Sequence, residues 1–244
     1  MEDNLASIFD FLSKNRMYNK AYQQRYYHSI LSSCNTSQER LISLLYNIAK
    51  TQNQPNINYQ SEFFKKIYQN INLLNSFASF ITFLKKDEMA NFIGLFNAIK
   101  SQPSWGDKTS ALFVKSIYHL HCEDYGLNLK IWDDVPERIL ENDRLFLPVD
   151  KVIMQIFKRL DDKNTWNFKT INDLLYKSYK GSAIEIWDDL WFWGYFTQKV
   201  VKDSTNRKIE WNEEKYWANF ESDKSETMIK EIKTLTDKFT NIFI

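Results

Sequence analysis

Helix-start signals recur along the whole chain and constrain its fold more than any other feature of the sequence. Residues 36–39 and 182–185 are capping boxes, in which a hydroxyl residue is followed three positions later by glutamate. Asp87 and Asp150 occupy the N-cap position before two further apolar segments. Only 5 glycines and 4 prolines interrupt the 244 residues. Because alternation of valine and threonine is also scarce, the sequence predicts an all-α protein.

The predicted helices follow one another along the chain. They cover residues 5–14, 19–33, 39–50, 62–74, 77–84, 89–100, 108–121, 151–160, 170–179, 186–198 and 225–239. Residues 123–146 are predicted to be irregular and acidic, and we expect Asp133 and Asp134 within them to be solvated.

Composition excludes several classes of protein. No apolar run approaches the roughly 18 residues of a membrane span, and MEDNLASIF lacks the layout of a signal peptide. Cys34 and Cys122 lack the spacing of metal ligands, so we expect reduced thiols in a cytosolic protein and neither zinc nor an iron–sulfur cluster. The net charge of +1 argues against a large nucleic-acid footprint, although a local basic patch could still attract phosphates.

The stretch PSWGDKT, residues 103–109, breaks one predicted helix and starts another. Gly106 lies in the tight turn, and Lys108 lies in the first turn of the following helix. Such a turn can aim backbone N–H groups and a helix N-terminus at a DNA phosphate without reading sequence. The alternative is an ordinary corner between two helices with a lysine on its surface.

The stretch resembles the helix-hairpin-helix signature of the base-excision DNA glycosylases, Pro-Gly-hydrophobic-Gly-x-Lys-Thr. Ser104 replaces the first glycine of that signature, and Trp105 fills the hydrophobic slot. The resemblance implies that Ser104 and Gly106 contact the DNA backbone. It also implies that Lys108 is the catalytic lysine.

A second element of the same resemblance is LPVD, residues 147–150, which is similar to the hydrophobic-Pro-Val-Asp of the family. The resemblance makes Asp150 the catalytic aspartate and places Pro148 against the substrate. A Pro-Val-Asp on its own is usually a turn and a helix N-cap. About forty residues separate Lys108 from Asp150, where many family members have about half that number, so residues 123–146 would be an insertion.

A third pattern resembles the archaeal-type 8-oxoguanine DNA glycosylases. Lys115 follows Lys108 by two helical turns, and Asp189 and Trp193 are four residues apart on a later helix. In that family such residues line the pocket for the damaged base. The lack of cluster cysteines separates the chain from the endonuclease III branch. The alternatives are a solvated Lys115 and a Trp193 that belongs to the core.

Other polar residues give weaker signals. The chain has three histidines, His28, His119 and His121, without ligand spacing, and we expect structural roles for them. Gln23 or Gln24 could offer an amide to a base edge, because the family draws one pocket contact from that region.

The resemblance implies a bifunctional DNA glycosylase and AP lyase of base-excision repair. It would remove 8-oxoguanine from damaged double-stranded DNA through a lysine Schiff base. It would need no cofactor, and it would act as a monomer in the cytoplasm, on the nucleoid.

The implied fold has two helical lobes with a DNA-binding cleft between them. One lobe is residues 36–146, and the other combines residues 1–35 with 147–244. Two alternatives remain: the same chemistry on another damaged or mismatched base, such as an oxidised pyrimidine, and a non-catalytic helical DNA-binding protein.

Overall fold

A computed structural model describes residues 2–200 and 207–243, and this part of the chain is mostly helical, which confirms the all-α prediction. It contains twelve α-helices and two short β-strands. The helices are α1 (Glu2–Lys14), α2 (Arg16–Leu31), α3 (Ser37–Ala49), α4 (Ile57–Gln69), α5 (Phe77–Leu84), α6 (Phe92–Lys100), α7 (Asp107–Cys122), α8 (Lys151–Leu160), α9 (Phe168–Tyr176), α10 (Ala183–Phe196), α11 (Glu213–Ala218) and α12 (Glu226–Asn241). The strands β1 (Gln198–Val200) and β2 (Arg207–Ile209) pair antiparallel, with Lys199 opposite Lys208.

The chain divides into two compact units by its internal contacts. The central unit comprises Tyr26–Pro148 and Lys180–Ser182, and the terminal unit comprises Met1–Arg25, Val149–Tyr179 and Ala183–Ile244. Helix α2 gives its first residues to the terminal unit and its last residues to the central unit. The lobes that the resemblance implies, with boundaries near residues 35 and 146, stay a prediction.

Helix α7 is the element around which the central unit is built. Most of its residues from Thr109 to Leu120 are buried, and α3 and α6 pack against it. Phe113 and Ile117 are fully buried, and removing side chains of this size from water contributes about 1.5–3 kcal/mol each. A helix that is buried on nearly every side is fixed in position by its neighbours.

The irregular segment of residues 123–146 is docked on the central unit. Trp132 is buried, and its Nε1 donates a hydrogen bond of 2.7 Å to the carbonyl oxygen of Leu74. Asp134 is exposed as expected, but its carboxylate accepts bonds of 2.7 and 3.1 Å from the first two N–H groups of α5. Asp143 accepts bonds of 2.9 and 2.8 Å from the first two N–H groups of α6. The segment therefore caps two helices.

Several helices begin at asparagine rather than at the predicted residue. The capping box of Thr36 and Glu39 at α3 is confirmed. In contrast, α6 begins after Asn91, whose side chain accepts a bond of 2.8 Å from the Gly94 N–H, so the prediction that Asp87 caps this helix is wrong. Helices α4 and α9 begin earlier than predicted, after Asn56 and Asn167 respectively. Asparagine is as good an N-cap as aspartate, which explains these differences.

Helix α10 is the core of the terminal unit, and α1, α8 and α11 pack against it. Trp187, Leu190 and Trp193 are fully buried on it. A Cβ atom at Gly194 would lie 2.7 Å from Ile156 Cδ1 and 2.7 Å from a methyl carbon of Val152, so glycine allows α8 to approach α10 closely. The strands β1 and β2, which the sequence did not predict, follow α10 directly.

The two cysteines form no disulfide, and both are half-buried. Burial raises the pKa of the Cys122 thiol to about 12, and its sulfur lies 3.1 Å from the carbonyl oxygen of Pro136. Within residues 2–200 and 207–243 there is no group of three or more histidine, cysteine, aspartate or glutamate residues that could hold a metal ion. Over the same residues, no helix combines the length and apolarity of a bilayer-crossing segment.

Candidate active site

The turn between α6 and α7 has the backbone conformation that explains the glycine of the hairpin signature. Ser104 adopts φ 69°, and no other non-glycine residue in the described part of the chain has a positive φ. This left-handed region favours glycine because a Cβ atom is crowded there. Ser104 stands where the signature has its first glycine. Its carbonyl oxygen accepts a bond of 3.0 Å from Gln52 Nε2.

Two side chains on either side of Pro103 and Ser104 anchor the turn to the central unit. Trp105 is buried, with its ring centroid 5.2 Å from that of Phe63. Gln102 is also buried, and its amide donates to the carbonyl oxygen of Leu84 at 3.0 Å while its oxygen accepts from Lys66 Nζ at 2.8 Å. The turn is therefore held by core contacts rather than by its own sequence alone.

Lys108 is the second residue of α7, as predicted from the hairpin, and its side chain is half-buried. Its Nζ donates a hydrogen bond of 2.8 Å to Thr51 Oγ1. Gly106 is the N-cap, and its N–H donates to Thr109 Oγ1 at 3.1 Å. These contacts fix the start of α7 and hold the amine near the end of α3.

Lys115, two turns along α7, is buried, so the alternative of a solvated lysine is wrong. A buried cation needs partners from the protein, since the loss of water costs several kcal/mol per ion. Pro148 is buried as well. Their predicted contacts with a damaged base stay predictions.

Asp150 lies at the start of α8, and its predicted role as N-cap is confirmed. Its Oδ1 accepts hydrogen bonds from the N–H groups of Val152 at 2.8 Å and Ile153 at 3.0 Å. The helix macrodipole and these two donors stabilise a negative charge at this position. The carboxylate is only half-buried, so it remains accessible to solvent.

Lys215 on α11 carries an amine that interacts electrostatically with Asp150, and the sequence did not single it out. Its Nζ donates a hydrogen bond of 3.0 Å to the carbonyl oxygen of Tyr195 and lies 4.7 Å from the centroid of the Tyr195 ring. Burial lowers the pKa of Lys215, the charge of Arg207 lowers it further, and the Asp150 carboxylate acts in the opposite direction. A half-buried amine of lowered pKa that interacts with a carboxylate is a candidate nucleophile, and the sequence alone does not reveal it.

Asp189 lies in a buried cluster of charged and polar groups on α2 and α10. Its Oδ1 accepts a hydrogen bond of 2.6 Å from Asn19 Nδ2, and Arg16 Nε lies 3.7 Å from its Oδ2. Glu185, one turn earlier on α10, is ion-paired with the same Arg16. Burial raises the pKa of Asp189 well above its ordinary value, and the charges of Glu185 and Asp188 raise it further. The bond from Asn19 and the charge of Arg16 act against this rise.

The raised pKa of Asp189 predicts a pH-dependent stability. The Asp189 carboxyl holds its proton more tightly in the folded state than in the unfolded state. Its contribution to the free energy of unfolding is therefore fully present below the unfolded pKa of about 3.9, and it is lost as pH rises through the folded pKa. Asp189→Asn cannot ionise. Its stability relative to the wild type should therefore increase with pH, by at most about 1.4 kcal/mol per pH unit.

Urea unfolding between pH 4 and pH 8 measures this difference. Asp10→Asn is the matched control, because Asp10 is an exposed carboxylate on the same unit that pairs with Lys14. Loss of the Arg16 contact gives Asp189→Asn a constant offset, so the change of the difference with pH is the quantity to be tested. Parallel curves for wild type and Asp189→Asn would contradict the assignment.

Trp193 is completely buried on α10, with other aromatic rings around it. Phe11, Tyr18 and Phe192 present their edges or faces to it at centroid distances of 5.0, 5.7 and 5.2 Å, and Phe239 lies 6.4 Å away. Stacking of a purine on this ring would require those side chains to move apart. In the structure Trp193 has the core role that the sequence offered as the alternative.

Other candidates have structural partners. The ring of His119 stacks on Tyr125 at 4.0 Å, and His121 Nε2 accepts a bond of 3.1 Å from the Ile131 N–H. Burial lowers the pKa of His121 to about 4. Gln23 is buried and Gln24 is half-buried on α2.

The structure thus groups the candidates by unit. The central unit holds Ser104, Gly106, Lys108 and Lys115, and the terminal unit holds Asp150, Asp189 and Trp193. Within the terminal unit, Asp150 stands at the start of a helix packed on the helix of Asp189 and Trp193. Searches against protein-family models, curated proteins and solved structures found no match to this chain.

Proposed function

We propose that the protein is a base-excision DNA glycosylase with AP lyase activity, of the archaeal 8-oxoguanine type. The observation that carries the proposal is the turn before α7. Ser104 has the left-handed conformation at the signature's glycine position, and Lys108 follows in the first turn of a helix fixed in the core. The proposal includes the two-lobed helix-hairpin-helix fold with an interlobe DNA-binding cleft.

Asp150 supports the proposal from the terminal unit. It is a half-buried carboxylate at a helix start, it interacts electrostatically with Lys215, and its position in LPVD is that of the family's catalytic aspartate. As the glycosidic bond breaks, positive charge develops on the sugar, as in glycoside hydrolysis generally. An ionised carboxylate at this place would stabilise that charge.

The proposed reaction begins when the neutral amine of Lys108 attacks C1′ of the damaged nucleotide. The bond from C1′ to the base nitrogen breaks, and its electron pair leaves with the base, which takes up a proton. The nitrogen of Lys108 loses a proton, and the C1′–O4′ bond opens with protonation of O4′, which gives the Schiff base. Removal of a C2′ proton then expels the 3′ phosphate and nicks the strand.

The proposed substrate is 8-oxoguanine, which the enzyme would rotate out of the duplex at a cost of a few kcal/mol. This base differs from guanine by an N7–H donor and a C8 carbonyl. A pocket acceptor for the N7–H would reject guanine, because guanine would leave that acceptor unpaired. Asp189 and Lys115 are the proposed polar contacts, and Trp193 is the proposed stacking surface after its neighbouring rings have moved.

The enclosure of Trp193 also favours testing a second class of lesion. The same lysine chemistry on an oxidised pyrimidine or a mismatched base would not need stacking on this ring. A panel of duplexes with different lesions would separate these substrates.

Borohydride trapping tests the proposed function. The protein is incubated with duplex DNA containing 8-oxoguanine, with and without sodium borohydride, which reduces a Schiff base to a stable amine. We expect a covalent protein–DNA species with borohydride and a nicked strand without it. A protein that binds the duplex but gives neither product would be a non-catalytic DNA-binding protein.

A further inference from the structure

A groove of about 570 Å³ runs along the outer side of α8 in the terminal unit. One side is formed by α8 itself, and the rest by residues 164–166 and by the ends of the two strands, Val200 and Arg207. The function proposed above uses only Asp150 at the start of this helix. The groove therefore needs an explanation of its own.

The charge of the groove has a single sign. Lys151, Lys158 and Arg207 line it, and no carboxylate is among its lining residues in the described part of the chain. Lys151, Gln155 and Lys158 follow one another at spacings of four and three residues, so they share one face of α8. The two lysines are thus separated by about 10 Å along the helix axis.

Arg207 is held in place by a buried amide. Its Nη1 donates a hydrogen bond of 3.1 Å to Gln198 Oε1, and Gln198 is fully buried. Gln198 Nε2 in turn donates to the carbonyl oxygen of Val152 on α8 at 2.9 Å. This chain of bonds ties the guanidinium on β2 to the helix that carries the two lysines. Less side-chain entropy is therefore lost when the guanidinium binds an anion.

Trp166 forms a fixed wall of the groove. Its Nε1 donates a bond of 2.7 Å to the carbonyl oxygen of Asp161, and its ring centroid lies 5.3 Å from that of Phe157. The side chain remains half-exposed. Proteins that bind nucleic-acid strands combine an aromatic surface with a row of cations. The cations follow the phosphates, and the ring can contact a sugar or base.

We infer that the groove along α8 binds the phosphodiester backbone of a DNA strand. The inference rests on the proposed function in one respect: Lys151 directly follows Asp150, so a strand that reaches the proposed reaction centre would continue along the helix. Lys215 interacts electrostatically with both Arg207 of the groove and Asp150 at the start of α8. The ligand that the groove would recognise is a polyanion with regularly spaced charges.

Binding to undamaged duplex DNA tests the groove without any need for catalysis. The test variant combines Lys151→Gln, Lys158→Gln and Arg207→Gln. The control variant combines Lys14→Gln, Lys169→Gln and Lys238→Gln, which removes the same charge from exposed positions on the same unit outside the groove. Fluorescence anisotropy gives the dissociation constant at several salt concentrations for each protein.

We expect the groove variant to bind at least about tenfold more weakly than the control variant at 0.15 M salt. The slope of log K against log salt should decrease by about 2 to 3, since each lost phosphate contact on duplex DNA contributes about 0.9. Equal affinities and slopes for the two variants would overturn the inference. The separate variants Lys151→Gln and Lys158→Gln keep the test valid if loss of Arg207 disturbs folding, because both lysines are exposed.

Three further outcomes are decisive. If the groove variant loses affinity for a polyglutamate peptide but keeps its affinity for DNA, the groove serves an acidic protein segment and the inference is wrong. If the wild-type protein is trapped on DNA and the groove variant binds DNA normally, the inference about the groove is wrong and the proposed glycosylase function stands. If the groove variant loses DNA binding and the wild-type protein is not trapped, the proposed glycosylase function is wrong and the inference about the groove stands.

Discussion

Lys108→Gln is expected to abolish both base release and covalent trapping, with losses of at least about 10³-fold. Glutamine has no amine that can attack C1′, and its neutral amide cannot form a Schiff base. Its side chain can still reach towards Thr51, which accepts the present hydrogen bond of 2.8 Å from Lys108 Nζ. The helix start keeps Gly106 as N-cap with the bond from its N–H to Thr109, so we expect the fold to persist.

Two comparisons make this result interpretable. Lys85→Gln removes an exposed lysine of the same unit that pairs with Glu88, and it should leave trapping unchanged. Lys215→Gln tests the amine that interacts electrostatically with Asp150. Peptide mapping of the trapped species identifies the lysine that carries the adduct. If the adduct lies on Lys215 and Lys108→Gln traps normally, the nucleophile has been assigned to the wrong unit.

Asp150→Asn is expected to slow base release by about 10²–10³-fold, while binding of lesion-containing DNA persists. The change removes the negative charge that would stabilise the developing positive charge on the sugar. Asparagine is as good an N-cap as aspartate, so its side-chain oxygen can keep accepting from Val152 and Ile153. The loss of activity should therefore come without a comparable loss of stability.

Asp161→Asn is the matched control for this change. Asp161 is the residue that follows α8 at its other end, so the same substitution is made at the opposite end of one helix. Single-turnover base release and urea unfolding are measured for both variants. Asp150→Ala adds a further comparison, because alanine loses the cap and should cost about 1 kcal/mol of stability in addition to activity. Full activity in Asp150→Asn would remove the carboxylate from the mechanism.

The helical class of the fold could be predicted because most helix starts and apolar stretches are local features. The cap at Asp150 and the box at Thr36 depend on a few adjacent residues, and both were predicted. The starts at Asn56 and Asn91 were missed because asparagine occurs throughout the chain and no glutamate follows either residue three positions later to complete a capping box. The strands β1 and β2 have only three residues each, too few to show alternation.

The candidate site was predictable only where it depends on sequence order. The hairpin is local, and the structure adds the reason for its unusual residue, since Ser104 has the conformation that glycine favours. Lys215 was missed because its interaction with Asp150 depends on the packing of both α8 and α11 against α10. The enclosure of Trp193 depends on rings from α1, α2 and α12, which no spacing within α10 could reveal.

The docking of residues 123–146 has a consequence for any attempt to shorten this protein. Asp134 and Asp143 hold the starts of α5 and α6, and α6 leads directly into the turn that presents Lys108. Each lost cap would cost about 0.5–2 kcal/mol. Trimming what looks like a dispensable loop would therefore weaken the helices that support the hairpin, although the loop contains none of the residues that would do the chemistry.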